Sequence, residues 1–243
     1  MSIAILEAAH LRKSFGRKLA VADVSFSMQT GEVIGLLGPN GAGKTTVFYM
    51  IAGFLKPSAG TVHFDRKPID RLPMFKRAML GISYLPQEAS IFRRMTVEEN
   101  ILAVLEARSS LSPAGRREKA RMLMEEFGIQ HVAKQPAYTL SGGERRRTEI
   151  ARALAIEPKF LLLDEPFTGI DPIAIREIKH LIQSLSSKGI GILLTDHNVR
   201  DALAITTRAY IISKGVIVAQ GEPQSIIDDP LARETYLGQD FEM

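Results

Sequence analysis

No cysteine and no tryptophan occur among the 243 residues. Without cysteine there can be no disulfide and no thiolate-ligated zinc or iron–sulfur centre, so the chain must fold on its core alone. A reducing compartment, the cytoplasm, is the expectation. Long apolar runs are also missing. The longest stretches free of charge, Val33–Gly43 and Thr45–Leu55, are interrupted by glycine and fall short of the roughly 18 apolar residues of a membrane-spanning helix. The opening MSIAILEAAHLRKSF sets Glu7 inside its first apolar stretch, so no signal peptide is expected. Charge of one sign is scarce: 31 Lys and Arg against 27 Asp and Glu leave a net +4. That mild excess permits a nucleic acid or an anionic surface, but a solvated face is its commoner meaning. There is no internal repeat and no low-complexity tract. What is present, 45% hydrophobic and 24% charged residues with 12 prolines and 19 glycines, excludes a collagen, a coiled-coil rod and a largely disordered chain. The length suits one large domain, or a core with an inserted lobe.

The order of patterns along the chain points to an α/β fold. Residues 1–37 read as short strands, with Ile3, Ile5, Val21, Val24, Phe26 and Met28 set among polar residues and an apolar run Val33–Leu37 after the Thr30-Gly31 turn. A glycine-rich loop then opens a helix from Lys44 to Phe54. Pro57, Gly60 and Pro68 punctuate a loop-and-strand region containing Thr61–Phe64. From about Glu88 to Glu157 the chain is mostly helical. Thr96 and Glu99 have capping-box spacing ahead of Asn100–Ala107, Ser112-Pro113 supplies a cap for a charged helix to about Phe127, and Ser141 and Glu144 repeat the box before Arg145–Leu154. Continuous apolar runs at Phe160–Leu163 and Ile190–Leu194 are the form of parallel strands buried on both faces. Between them Asp171-Pro172 opens a helix with Ile178, Leu181, Ile182 and Leu185 on one stripe. Lys214-Gly215 marks a hairpin between Ala209–Ser213 and Val216–Ala219. An inserted helical lobe in a parallel-sheet core accounts for this order.

Two motifs carry chemistry. Gly38, Pro39, Asn40, Gly41, Ala42, Gly43, Lys44 and Thr45 match G-x-x-x-x-G-K-[ST], directly after the strand Val33–Leu37 and directly before a helix, with Thr46 following. In that setting glycines turn backbone N–H groups inward around phosphate oxygens, the helix N-terminus adds partial positive charge, Lys44 reaches the β- and γ-phosphates, and the Thr45 hydroxyl ligates Mg2+. Phe160–Leu163 ends in Asp164 and Glu165, which sets Asp164 toward the Mg2+ shell and Glu165 toward the γ-phosphate, where it can polarise water. Alone, an acidic pair at a strand end is often only an edge leaving the core. Together with the phosphate loop it points to nucleotide hydrolysis.

Leu140-Ser141-Gly142-Gly143-Glu144 resembles the signature sequence of ATP-binding-cassette proteins, and the order Lys44, Gln87, Ser141, Asp164-Glu165, Asp171, His197 is that family's order over essentially the whole chain. The resemblance implies a P-loop NTPase, RecA-like core with an N-terminal antiparallel β subdomain and an inserted helical subdomain. One cassette would span 1–243: an α/β core with its β subdomain from 1–87 and 158–222, a helical signature subdomain at 88–157, and a tail at 223–243. It also implies a head-to-tail homodimer in which each ATP is held between one chain's Lys44 loop and the other chain's Ser141, Gly142, Gly143 and Glu144. Gln87 looks like the glutamine that joins Mg2+ and the attacking water. His197 resembles the histidine that contacts the γ-phosphate, Phe15 the aromatic that stacks on adenine, and Asp171 the D-loop aspartate at the dimer seam. Asp171 also suits a helix N-cap, and the loop reads Thr168-Gly-Ile-Asp171 where S-A-L-D is more frequent.

A chain without a span needs separate membrane subunits to drive transport. Ile91, Phe92 and Met95 beside Arg93 and Arg94 offer apolar anchors next to arginines, the chemistry of a groove for a partner helix, although the same residues could pack the helical lobe. In the family this junction receives the permease's coupling helix. Within the family, Phe48-Tyr49-Met50, Leu85 to Arg94, Leu140 to Arg147, Thr195 to Arg200 and the tail Tyr236 to Phe241 resemble the ATPase subunits of lipopolysaccharide exporters. That resemblance implies a heterodimeric permease and a place at the cytoplasmic face of the inner membrane, peripheral through its partners. ATPases of branched-chain amino-acid importers share part of the pattern. Cassette proteins acting on nucleic acid or ribosomes usually carry two cassettes or a coiled-coil insertion, so no nucleic acid is expected. A P-loop kinase would not need Ser141-Gly-Gly, and a GTPase would be expected to show N-K-x-D, which no asparagine here begins.

Overall fold

The computed structural model describes residues 3–108 and 110–241. The first half of the chain runs β1 (Ile5–Phe15), β2 (Lys18–Gln29), β3 (Val33–Leu37), α1 (Lys44–Ala52), β4 (Ala59–Phe64), β5 (Lys67–Pro68), α2 (Met74–Leu80), β6 (Ile82–Leu85), α3 (Val97–Arg108) and α4 (Pro113–Glu126). The second half runs α5 (Gly142–Leu154), β7 (Phe160–Asp164), α6 (Pro172–Ser187), β8 (Gly191–Thr195), α7 (Val199–Leu203), β9 (Arg208–Ser213), β10 (Val216–Gly221) and α8 (Pro223–Asp228).

The strands form one sheet in the order β5-β4-β1-β2-β10-β9-β3-β8-β7-β6. Its two ends differ. β5, β4, β1 and β2 pair antiparallel, while β9, β3, β8, β7 and β6 pair parallel, and β10 joins the halves with a single parallel bridge, Val216 to Asp23. The parallel half is apolar along its whole length because both faces are covered. In β7, Phe160 and Leu162 pack with α1 residues such as Phe48 and Val47, whereas Leu161 and Leu163 pack on the other side with Ile178, Ile182 and Leu185 of α6. Strand periodicity sends successive residues to opposite faces, so a doubly covered strand must be apolar at every position.

β1 and β2 are longer than their sequence pattern predicts, at eleven and twelve residues. The register of β1 on β2 shifts between Ala8 and Leu11 and again before Lys13, with His10 at φ 50°. Leu6 and Ala8 are buried, and the next buried residue is Leu11 rather than residue 10. A bulge that breaks the two-residue period makes one long strand read as two short ones.

α3, α4 and α5 stand between β6 and β7, and their three capping signals are built as the spacing predicts. The Thr96 amide donates to Glu99 (2.8 Å) while the Glu99 amide donates to the Thr96 hydroxyl (3.2 Å). Ser112 accepts from the Gly115 amide, and Ser141 and Glu144 form a reciprocal box. α2 was not foreseen. Arg77 is its one buried side chain, its guanidinium donating to the Met50 and Ile51 carbonyls at the end of α1 (2.6 and 2.8 Å), while its apolar residues Met74, Phe75 and Met79 are exposed rather than packed in the core. Among the described residues no helix is long and apolar enough to cross a membrane.

Candidate active site

The connection from β3 to α1 wraps an ammonium. Lys44, on the first turn of α1, donates from Nζ to the carbonyls of Gly38 (2.7 Å) and Pro39 (3.0 Å) and is almost fully buried. Burial pushes its pKa down, while the nearby Glu165 and Asp164 carboxylates pull it back up. Gly38 has φ 151°, and a Cβ there would stand 2.0 Å from the Ile212 carbonyl oxygen in β9, so the loop can pass the sheet only as glycine.

Three parallel strands end beside this loop. Leu85 of β6 lies opposite Leu163 of β7, and Asp164 opposite Thr195 of β8, so the residues that follow each strand emerge at one edge. Parallel sheets place their ligand crevices at that edge. Glu165 receives both neighbours. Gln87 Nε2 donates to Oε2 at 2.5 Å and His197 Nε2 sits 2.6 Å from Oε1, with the Thr168 hydroxyl at 3.3 Å from Oε2. Glu165 is itself held at φ 49°, its amide on the Thr195 carbonyl at 2.9 Å. A non-glycine residue in the left-handed region costs of order 1–3 kcal/mol, and the surrounding contacts must hold it there.

Asp164 lies beneath. Its Oδ2 accepts from the Tyr84 hydroxyl at 3.1 Å, while Oδ1 is buried with no hydrogen-bond partner among the described residues. Burial raises its pKa above the ordinary aspartate value, opposed by the Tyr84 hydrogen bond. An unpaired buried carboxylate oxygen beside an ammonium is costly unless something binds it.

A cleft of about 460 Å3 opens over these groups, lined by Phe15, Asn40, Gly41, Gly43, Lys44, Thr45, Thr46, Gln87, Glu165 and His197, together with Lys18, Leu19 and Ala20. Phe15 is half exposed at its edge, with the Lys13 ammonium 5.5 Å from the ring centroid. Ser141, Gly142, Gly143 and Glu144 do not line this cleft. They sit where α5 begins, against Gly169 and Ile170 of the loop after Glu165, with the Ser141 hydroxyl 2.6 Å from Glu144. Asp171 caps α6 by accepting from the Ile173 and Ala174 amides, both at 3.0 Å.

The segment after Gln87 corrects one expectation. Ile91 is 6% exposed and packs in the core with Val97 and Ile101, so it cannot face a partner. Phe92 and Met95 are 48% and 40% exposed, and Arg93 is exposed beside them. The choice between lobe packing and docking therefore splits by residue. Three side chains of α5, all missed from sequence, hold this segment. Buried Arg146 donates to the Pro86 carbonyl (3.1 Å) and Glu149 (3.3 Å), Glu149 accepts the Ser90 amide (2.7 Å), and Arg152 stands over the Phe92 ring (4.9 Å). Their i, i+3, i+6 spacing is present in the sequence, but charged side chains are rarely buried, so spacing alone does not mark them. Also unread were the exposed Met74, Phe75, Met79 and Leu80 of α2, since that helix was not predicted.

Known proteins match along the whole chain. The family profile described as "ABC transporter" matches residues 21–168. The lipopolysaccharide export system ATP-binding protein LptB of Haemophilus influenzae is 52% identical over 241 residues, covering 99% of this chain and 100% of that protein. The protein of the same name from Escherichia coli K12 is also 52% identical, with the same coverage. Among solved structures, the ADP conformation of an ATP-binding cassette of an ABC transporter superposes with a TM-score of 0.87 at 32% identity, covering 98% of this chain and 100% of that one. A cassette of the Clostridium perfringens cbiONQ transporter complex gives 0.85 at 28% identity, covering 96% of this chain and 94% of that one.

Because only glycine passes Ile212, Gly38→Ala should displace the loop and weaken nucleotide binding by about tenfold or more, equivalent to 1.4 kcal/mol. Titration with a fluorescent ATP analogue checks this, and wild-type affinity in a folded variant would contradict it.

Proposed function

The chain belongs to the ABC transporter family of ATP-binding proteins, and on that premise we propose that it is the ATPase subunit of a lipopolysaccharide export transporter. The observation that carries the hydrolytic reading is the Glu165 carboxylate, buried at a strand end between Gln87 and His197 and beside the Lys44 loop. The cargo rests on the full-length similarity to LptB proteins, which favours export over the amino-acid importer reading.

ATP is the substrate. Phe15 offers a face for the adenine, the loop from Gly38 to Thr46 cradles the phosphates, and Lys44 exchanges its carbonyl partners for phosphate oxygens. The donor set fits a small, hard divalent cation: the unpaired Asp164 Oδ1 and the Thr45 hydroxyl, with the Gln87 amide oxygen as a third donor. Mg2+ held there would neutralise charge on the β- and γ-phosphate oxygens. Glu165 acts as general base. It takes a proton from water as the water oxygen bonds the γ-phosphorus and the bond to the β-phosphate oxygen breaks, giving ADP and phosphate.

Two chains would complete the site. Ser141, exposed where α5 begins, and the two glycines after it lie outside the chain's own cleft, so a second copy placed head to tail could bring them to the γ-phosphate. Asp171 would sit near that seam. On closure His197 would leave Glu165 for the γ-phosphate, which makes the pair two-state: closed with ATP and open after hydrolysis. The exposed Phe92, Arg93 and Met95, with the apolar residues of α2, would receive a helix of a membrane permease and pass the change to it. The subunit would then work at the cytoplasmic face of the inner membrane. In domain terms, residues 88–157 would be the moving signature lobe, 1–87 with 158–222 the nucleotide core, and 223–243 an appended tail.

Glu165→Gln should keep nucleotide binding, lower turnover by about 100-fold or more, and trap a dimer in ATP that light scattering detects. Turnover near wild type would remove Glu165 from the role of base. Phe92→Ala should leave ATP binding by the isolated subunit unchanged but cut co-purification with its membrane partners, a loss on the order of 2 kcal/mol if the ring is a central anchor. Undiminished co-purification and undiminished partner-stimulated hydrolysis would place docking elsewhere.

A further inference from the structure

Tyr84 has no part in the chemistry described so far, yet it makes the one hydrogen bond to the Asp164 carboxylate found among the described residues. The contact depends on strand geometry. Tyr84 pairs with Leu162 across the parallel β6–β7 ladder, and Leu162 and Asp164 are two residues apart on one face of β7. The phenol therefore runs along the sheet from the level of Leu162 to the strand end, where its hydroxyl donates to Oδ2. The ring is flanked by three others. Phe54, Tyr49 and Phe48 surround it with centroids at 5.4, 5.9 and 6.5 Å, each in an edge-on arrangement with interplanar angles of 67°, 82° and 66°. Such contacts fix orientation as well as contributing packing energy.

The consequence falls on the other oxygen. With Oδ2 tied to a ring packed edge-on against three others, Asp164 presents Oδ1 in one direction, and that atom is the buried one left without a partner. A carboxylate with one oxygen tethered and the other free is arranged as a monodentate ligand. Loss of a group that orients a metal ligand in this way typically costs about 10–100-fold in metal affinity or activity.

We propose that Tyr84 is a positioning residue for the divalent cation: its hydroxyl, held by the Tyr49–Phe54–Phe48 ring cluster, fixes the Asp164 carboxylate so that Oδ1 alone faces the metal. The inference rests on the reading of Asp164 as a metal ligand. Tyr84→Phe removes the hydroxyl and keeps the ring cluster, so the fold should be preserved.

The test is equilibrium binding of a fluorescent ATP analogue to the full-length protein, titrated with Mg2+ and repeated in EDTA, alongside thermal melting of the nucleotide-free protein. For Tyr84→Phe the Mg2+ midpoint should rise about tenfold or more. Affinity in EDTA and the melting temperature should stay near wild type, because Tyr84→Phe keeps the ring cluster and gives up only the hydroxyl's contacts with Asp164 and Tyr49. An unchanged Mg2+ midpoint overturns the proposal, whether or not melting shifts, since a purely structural tyrosine would change only the melt. Asp164→Asn separates the two readings. If it abolishes the Mg2+ enhancement while Tyr84→Phe leaves the midpoint alone, only the role of Tyr84 fails. If Asp164→Asn also leaves the midpoint alone, the metal reading fails and this inference with it.

Discussion

The parallel register of β6, β7 and β8 decides where everything else must be. Leu85 opposite Leu163, and Asp164 opposite Thr195, bring three strand ends to one edge, so that residues 78 and 32 positions from Glu165 in the sequence reach the same carboxylate. Neither Gln87 nor His197 could meet Glu165 if one strand slipped by a residue, because the slip would also turn the apolar faces of a doubly covered sheet out of register with their helices. Core packing and catalytic geometry are therefore one constraint. Ile178, Ile182 and Leu185 on one side and Phe48 and Val47 on the other fix the strands that fix the site.

That edge is also where polar groups are held without full satisfaction. Lys44 borrows backbone carbonyls, Asp164 leaves one oxygen unpaired, and Glu165 is kept in a left-handed conformation. Each departs from what the fold alone would prefer, and all three lie within the phosphate and metal sites proposed for ATP. Binding would supply the missing partners. The protein's folded state is thus arranged for a ligand that relieves it, a common condition of sites built on rigid sheets.

Much of this was legible in the sequence where a local rule acts alone. The three capping signals at Thr96, Ser112 and Ser141, the doubly buried strands at Phe160 and Ile192, the Lys214-Gly215 hairpin and the phosphate loop all appear where their spacing puts them. Sequence failed where tertiary contacts override periodicity. The bulge at His10 disguised the length of β1, and α2 is pinned by one buried arginine rather than an apolar stripe. Ile91 and Phe92 are neighbours with opposite fates, one in the core and one exposed, which composition cannot distinguish. Nothing in a strand pattern tells which aromatic carries a hydroxyl to a carboxylate two residues beyond its pairing partner, so the sequence does not single out Tyr84.

In the proposed dimer one chain's phosphate loop and another's Ser141 close on the same nucleotide. The absence of native cysteine makes this directly measurable. Asn40→Cys and Ser141→Cys, both at exposed positions, would be placed in one chain that also carries Glu165→Gln, and mild oxidation followed with and without Mg-ATP. A disulfide between chains should form rapidly in Mg-ATP and slowly without it. No interchain disulfide, or one formed equally well without nucleotide, would contradict the shared site.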